Sequence, residues 1–378
     1  MKQFIYADNA ATTKLDIDAF EAMKPYLFEE YGNASQPYSF ARKPKQALKE
    51  ARATIAQCIN AEPEEIFFTS GGTESDNWAI KGTAFSDPEK RVIITSQIEH
   101  HAVLRACEDI EKLGYPVAYL PVTKEGVVTT ESLGSVITPN TRLVSIMYAN
   151  NEIGTIEPIK ELCEIAHRNG ALFHTDAVQA VGHIQVDVKD LGVDMLSASA
   201  HKFNGPKGIG FLYVKKGTPI CSYVSGGAQE FGMRAGTENI ASIVGMTVAL
   251  KKNCDNLTEN VRHIKSIENQ LLDKLSSLGL DFVRNGSPYH IPGNISLSFK
   301  NVNGEVLLHR LDLMGICVST GAACDNVNTQ TSHVLNAIGL KQDYATGTIR
   351  ITLSINNTED NVVTIISALK KILSPKRI

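Results

Sequence analysis

Four short segments carry side chains whose types and spacing could do chemistry together. The first is Ser70-Gly71-Gly72-Thr73-Glu74-Ser75-Asp76-Asn77. Small residues running into a helix start leave backbone N–H groups exposed, and the helix dipole favours an anion there, so the segment reads as a phosphate cradle. Thr73 with Asp76 three positions on also fits the reciprocal capping box of a helix that opens at Thr73. The second is Ile98-Glu99-His100-His101. His100 is either a surface or packing residue or an imidazole that stacks on a ring. The third is His174-Thr175-Asp176, with Gln179 three residues later. Asp176 offers a carboxylate, although an Asp at a strand end is often a turn or helix cap. The fourth runs from Ser197 through Ser199, His201 and Lys202 to Gly205-Pro206-Lys207-Gly208. A lysine is usually a solvated surface charge. Here an apolar strand precedes Lys202 and a glycine-rich turn follows it, which suits a buried amine. Desolvation lowers an amine's pKa and lets it form a Schiff base.

An anion cradle, a ring-stacking imidazole, a carboxylate and a Schiff-base lysine, in that order, are the parts pyridoxal phosphate needs. The carboxylate keeps the pyridine nitrogen protonated, and the ring then becomes an electron sink.

These segments sit at the ends of expected strands. Strands are expected at Ile66–Ser70, Arg91–Ser96, Val117–Val122, Arg142–Tyr148, Ala171–Asp176, Asp194–Ala200 and Ile209–Val214, with amphipathic stretches such as Pro158–Asn169 between several of them. Such alternation predicts an α/β fold with a mostly parallel sheet covered by helices. Ligands in such sheets bind beyond the carboxyl ends of the strands. After about residue 240 the pattern changes. A long helical stretch is expected over Ile240–Leu278. Strands follow near Asn294–Phe299, Ile316–Ser319 and Thr348–Leu353, with helices from Glu305, near Ser332–Leu340 and from Thr358. This predicts a smaller α+β C-terminal domain, joined or bordered by the first dozen residues. The expected division is residues 15–250 against residues 1–14 with 251–378.

Composition bounds the rest. The 378 residues suggest about two domains. A net charge of −4, from 37 Lys and Arg against 41 Asp and Glu, argues against a nucleic-acid binder. No apolar run is long enough to span a bilayer, and MKQFIYADNAATTK does not read as a signal peptide. Seven cysteines at 58, 107, 163, 221, 254, 317 and 324 form no CxxC pair. Their odd number and scatter suit neither a disulfide framework nor a zinc site, and point to a reducing, cytoplasmic setting without metal.

The chain resembles the cysteine desulfurases of the NifS/IscS group, within the aspartate-aminotransferase-like, fold-type I pyridoxal phosphate enzymes. The resemblance runs nearly end to end, from Tyr6-Ala-Asp-Asn-Ala-Ala-Thr-Thr13 to Arg350-Ile-Thr-Leu-Ser354. Thr69–Asn77, Asn150-Asn-Glu-Ile-Gly154, His174–Gln179, His201-Lys202 with Gly205–Gly208, and Val318-Ser-Thr-Gly-Ala-Ala-Cys324 carry it most specifically. It implies that Lys202 is the Schiff-base lysine, that His100 stacks on the pyridine ring, and that Asp176 pairs with the ring nitrogen. Asn151 and Gln179 would bond the phenolic oxygen. Gly72, Thr73, Ser199 and His201 would hold the phosphate. Thr237 would reach the phosphate of a partner subunit, which makes a homodimer. Arg350, helped by Asn33, would bind the substrate carboxylate, and Cys324 would accept the sulfur. The chain departs from the pattern at Gly32-Asn33-Ala34-Ser35, which lacks the usual Pro and His, and at Cys324-Asp325-Asn326, where a small polar residue usually follows the cysteine.

The implied reaction converts L-cysteine to L-alanine and leaves a persulfide on Cys324, which passes to a protein acceptor. Iron–sulfur scaffolds, tRNA thiolation and DNA sulfur modification all remain open as destinations, with no direct nucleic-acid contact by this chain. The rival readings are a selenocysteine lyase or aminotransferase of the same fold, or a non-catalytic partner protein. The polar stretch Asp325–Thr331 is expected to be a mobile tether for Cys324. Asp325 is expected to oppose ionisation of the neighbouring thiol.

Overall fold

The computed structural model describes residues 4–320 and 331–374. Cys324, Asp325 and most of the expected tether therefore lie outside the described residues.

Among the described residues the strands in chain order are β1 (Ile5–Tyr6), β2 (Ile66–Thr69), β3 (Val92–Ser96), β4 (Val117–Leu120), β5 (Thr141–Ser145), β6 (Leu172–Asp176), β7 (Met195–Ser199), β8 (Gly210–Val214), β9 (Phe282–Asn285), β10 (Asn294–Phe299), β11 (Ile316–Cys317) and β12 (Thr348–Thr352). A seven-stranded sheet has the order β2-β8-β7-β6-β5-β3-β4. Its pairs from β7 through β4 are parallel, whereas β8 is antiparallel to both β7 and β2. The reversal has a local cause. Only residues 200–209 join β7 to β8, too few for the crossover that parallel neighbours require. The tight turn so forced carries Lys202.

Strands β2, β5, β7 and β8 are buried along their whole length. Both sheet faces are covered, so these strands read as runs without polar alternation. Successive residues point to opposite faces. Val144, Phe173 and Leu196 join Ile55, Phe68 and Met246 in one core. Leu143, Met195 and Leu212 join Trp78, Val103 and Ile110 in another. The strand expected over Arg142–Tyr148 ends at Ser145, but its extension stays bonded to β6 through Ile146 N and Tyr148 N. That extension delivers Asn151 to the sheet edge.

A separate core gathers Ala7, Ile267, Leu271, Leu297, Leu311, Ile351 and Ile365. It packs on the antiparallel sheet β12-β10-β9 and the parallel pair β1-β11. The single helical stretch expected over Ile240–Leu278 is two helices, Ile240–Asp255 and Leu257–Ser276, parted at Asn256. The first buries Ile243, Met246 and Leu250 against the large sheet, and the second buries Ile264, Ile267 and Leu271 in the separate core. The break turns the apolar stripe from one core to the other. Strand β9 and the helices Ile17–Phe28 and Arg42–Cys58 add to the expected elements. Helix Ile17–Phe28 contains Pro25 and buries only Ala19, so its apolar periodicity is weak.

The N-terminal segment links the two parts. Ala7 lies in the separate core, Asp8 bridges to Thr352, and Thr13 N donates to His201 O at 2.9 Å. No helix among the described residues is long and apolar enough to cross a membrane.

Candidate active site

A cavity of about 370 Å³ opens beyond the carboxyl ends of β2, β3, β6 and β7. Gly72, Thr73, His100, Asn151, Asp176, Gln179, Ser199, His201, Lys202 and Arg350 all line it. Strand-end residues converge here because the strands that carry them lie together in the sheet.

Lys202 ends a short 3₁₀ turn over Ala200–Lys202. Its Nζ donates to Ala10 O at 2.6 Å and Ala11 O at 2.8 Å. His183 Nε2 donates to the Lys202 carbonyl at 2.9 Å and fixes the turn from behind. The amine is therefore aimed by backbone atoms of a segment that arrives from the chain start.

His100 caps the helix His101–Lys112: its Nδ1 accepts from Ala102 N at 3.1 Å. An accepting Nδ1 leaves the ring proton on Nε2. Burial, followed by the Lys202 and His101 charges, lowers its pKa to about 4, so the ring is neutral near pH 7. A neutral, partly covered ring is suited to stack on a flat ligand.

Asp176 ends β6, and its Oδ1 accepts from Val178 N at 2.9 Å. Burial pushes its pKa up to about 6, against the pull of the Val178 N–H and the Lys202 charge. It still carries a negative charge near pH 7. Asp176 thus acts in both ways the sequence allowed, as a local turn cap and as a cavity carboxylate.

The capping box expected for Thr73 and Asp76 is not formed. The helix opens at Gly72 with Gly71 as its cap residue, so the cap falls two residues before Thr73. That shift moves Asp76 past the position from which a carboxylate reaches back. Glu74 takes the place instead, its Oε2 accepting from Ser70 N at 2.8 Å. Asp76 turns inward and is 1% exposed. Gly71 has φ +147°, a conformation that side chains rarely adopt. A Cβ on Gly72 would lie 2.6 Å from Val178 Cγ2. Gly71 N donates to Thr69 Oγ1 at 3.3 Å, and it is Gly72 and Thr73, at the helix start, that line the cavity.

Arg350 crosses from β12 to the same cavity. One terminal nitrogen pairs with Asp8 Oδ1 at 2.7 Å and the other donates to Asn151 O at 2.9 Å. Its Nε is buried without a hydrogen-bond partner. Gln179 Nε2 donates to Ala10 O at 3.1 Å, and His201 Nδ1 lies 3.2 Å from Thr12 Oγ1. Burial, then the Lys202 and Lys207 charges, lowers the His201 pKa to about 4.

Two expected residues do not line the cavity. Asn33 uses its Oδ1 to accept from Ser35 N at 2.9 Å, and Thr237 is exposed. Cys324 lies outside the described residues. The cavity also contains residues that the motifs did not single out for it: Ala10, Ala11, Asp76, His101, Glu152 and His333. His101 and His333 meet edge-on, with ring centroids 4.9 Å apart. His333 sits in the helix expected near Ser332–Leu340, but no local pattern tied it to His101.

These groups fit pyridoxal phosphate. There is an amine at Lys202, a carboxylate at Asp176, a neutral ring at His100 and a Cβ-free turn at Gly71-Gly72. The buried and unpartnered Asp76 Oδ1 and Arg350 Nε add polar capacity within the same walls.

Fold and site together define a pyridoxal phosphate enzyme of the fold-type I class. The family model for aminotransferase class-V matches residues 5–365, and the chain belongs to that family. It is 45% identical to a cysteine desulfurase IscS of Clostridium botulinum, across 100% of this chain and 96% of that protein. A solved NifS-like protein superposes with a TM-score of 0.93 at 38% identity, covering 98% of this chain and 100% of its own. A solved SspA in complex with cysteine superposes with a TM-score of 0.83 at 35% identity, covering 94% and 100%. The activity is that of a cysteine desulfurase, with pyridoxal phosphate as cofactor.

Proposed function

We propose that the cavity converts L-cysteine to L-alanine with the residue roles that follow. The observation that carries them is the convergence of Lys202, His100, Asp176 and Arg350 on one cavity. Bound pyridoxal phosphate supplies an electron sink for charge that develops at the substrate Cα. Lys202 would hold the cofactor, and its Nζ would take and return protons at the reacting carbons. His100 would stack on the ring, and Asp176 would pair with the ring nitrogen. Asn151 and Gln179 bond the phenolic oxygen. Gly72, Thr73, Ser199 and His201 hold the phosphate. Arg350 would bind the substrate carboxylate. The Cys324 thiolate attacks the substrate sulfur: an S–S bond forms, the substrate C–S bond breaks, and alanine leaves. Among the described residues no cysteine lines the cavity, which supports Cys324 as the acceptor. The test is to incubate the protein with L-cysteine, measure alanine, and map the added sulfur by mass spectrometry. Sulfur on another cysteine, or pyruvate in place of alanine, would overturn this reading.

The same reading divides the chain into residues 15–250 and residues 1–14 with 251–378. The change of core at Asn256 and the place of Ala7 support it. The persulfide passes to a protein acceptor, an iron–sulfur scaffold or a thiolation enzyme, in the cytoplasm. The described cysteines are all free thiols, as a reducing compartment requires.

Arg350 yields a prediction at once. Arg350→Lys keeps the charge but loses the planar fork that matches a carboxylate. A charge-assisted hydrogen bond contributes about 1.5–3 kcal/mol, so KM for cysteine rises roughly 10- to 100-fold. The absorbance of the bound cofactor stays unchanged. Steady-state kinetics with a spectrum of each variant checks this, and an unchanged KM would remove Arg350 from substrate binding.

The homodimer rests on Thr237, which is exposed and outside the cavity of its own chain. Phe28, Tyr31 and Phe231 are 75%, 69% and 63% exposed, and such large apolar side chains support a covering partner. Mixing Thr237→Ala with Lys202→Ala subunits reconstitutes one intact site per mixed dimer. Activity therefore returns on mixing two poorly active proteins. Failure to regain any activity in a verified mixed dimer would discard the shared site.

A further inference from the structure

Asp76 has no part in the roles above, yet it lies in the wall of the cavity with 1% of its surface exposed. Its Oδ1 is buried without a hydrogen-bond partner and lies 3.7 Å from His174 Nε2. Asp76, His100 and Asp176 each place a polar atom within 4.8 Å of the others. Two buried carboxyl groups so close cannot both ionise cheaply, and their protons belong to the pair.

We propose that Asp76 is a positioning residue for Asp176: it stands beside it as a neutral carboxylic acid, so that the pair presents one negative charge to the ring nitrogen of the cofactor.

The surroundings say which member keeps the proton. Asp176 accepts from Val178 N and feels the Lys202 charge, and both favour its ionised form. Asp76 has only the Ser197 hydroxyl on its side, against burial and the charges of Asp176 and Glu99. The imidazole closest to it gives no cation. His174 is bonded through Nδ1 to Ser145 Oγ at 2.8 Å and through Nε2 to Ser197 Oγ at 2.9 Å. Burial lowers its pKa to about 3, so it is neutral. His100, the other ring facing the pair, is neutral as well. Among the described residues Asp176, Glu99, His174, His100 and Lys202 are the titratable groups around this spot, and the one cation, Lys202, acts on Asp176 rather than on Asp76.

The arrangement has a use. A lone Asp176 in a dry pocket would tend to take up a proton and lose its hold on a protonated ring nitrogen. A polar but uncharged neighbour stabilises the single anion without adding a second charge. The inference rests on the proposed role of Asp176, and the experiment separates the two.

Infrared difference spectra of the as-purified protein against Asp76→Asn, near pH 7, read the proton directly. The expected result is a protonated-carboxyl C=O band in the wild type that Asp76→Asn removes; its absence from the difference overturns the proposal. Pyridoxal phosphate titrations of the cofactor-stripped variants then read the consequence. Asp76→Asn, a neutral isostere with a donor, keeps affinity within about twofold. Asp76→Leu weakens it tenfold or more and moves the pH midpoint of cofactor absorbance. Asp76→Leu with wild-type affinity and midpoint, or Asp76→Asn as damaging as Asp176→Asn, overturns the proposal. Should Asp76→Leu not fold, the infrared band and Asp76→Asn still decide. An Asp176→Asn protein that binds cofactor normally, with the Asp76 band present, places the failure on Asp176 instead.

Discussion

Lys202→Ala is expected to lose turnover by about four orders of magnitude or more, because the proposed reaction draws both covalent attachment and proton transfer from this one side chain. Proton transfer by a placed side chain alone contributes roughly 10²–10⁴-fold. The structure shows why no neighbour substitutes. The Lys202 amine is held at 2.6 and 2.8 Å by the carbonyls of Ala10 and Ala11, and no other lysine lines the cavity among the described residues. His100 is neutral, is committed through Nδ1 to Ala102 N, and is suited to stacking rather than to proton relay. The variant should still bind pyridoxal phosphate non-covalently, since the Gly71-Gly72 turn, Ser199 and Asp176 are untouched. Two measurements check this. Alanine production from L-cysteine disappears, and borohydride treatment attaches the cofactor to the Lys202 peptide of the wild type but to no peptide of the variant. Retained activity, or attachment to another lysine, would remove Lys202 from its place.

Cys324→Ala is expected to abolish persulfide formation and to lower sulfur release by about 10³-fold or more. It leaves the first half of the reaction standing. Lys202, Asp176 and Arg350 are all present, so cysteine still binds and still perturbs the cofactor spectrum. The other cysteines do not stand in. Cys107 and Cys163 are buried, and burial pushes the Cys163 thiol up to about 12. Cys58, Cys221, Cys254 and Cys317 are half-buried and line no part of the cavity. A nucleophilic thiol needs both access and ionisation. Sulfide release by Cys324→Ala at the wild-type rate under reducing conditions would favour direct elimination, as in a lyase, over transfer through this cysteine.

Much of this was legible in the sequence because the chemistry sits beside strong local patterns. β2, β3, β6 and β7 are short, largely buried runs, and each brings a candidate site residue to its carboxyl end or within four residues of it: Gly72, His100, Asp176 and Lys202. A strand that both faces of a sheet bury has to be apolar or small, so its end can be found within a residue or two. The reading ran furthest past the ladder in the strand carrying Arg142, because its extension keeps backbone bonds to β6 after leaving the regular ladder. The break at Asn256 was not legible. Each of the two helices it separates has ordinary helical composition, and only the presence of two cores demands a change of direction between them.

By itself, then, the sequence determined the layered α/β architecture and the order in which Gly72, His100, Asp176 and Lys202 come to the strand ends around one cavity. Periodicity and strand ends are properties of neighbours in the chain. The tertiary structure alone decided how those groups are aimed. Arg350 meets Asp8 across a separation of 342 residues, and Lys202 meets Ala10 across 192. Ala10 and Ala11 contribute carbonyl oxygens, which no side-chain pattern announces. Asp76 belongs to the same class. Local spacing made it the partner of a Thr73 cap, but the cap falls two residues earlier, at Gly71, and Asp76 lies inward beside Asp176. Through-space pairing and burial set the charge of a carboxyl group, and neither is encoded in the residues beside it.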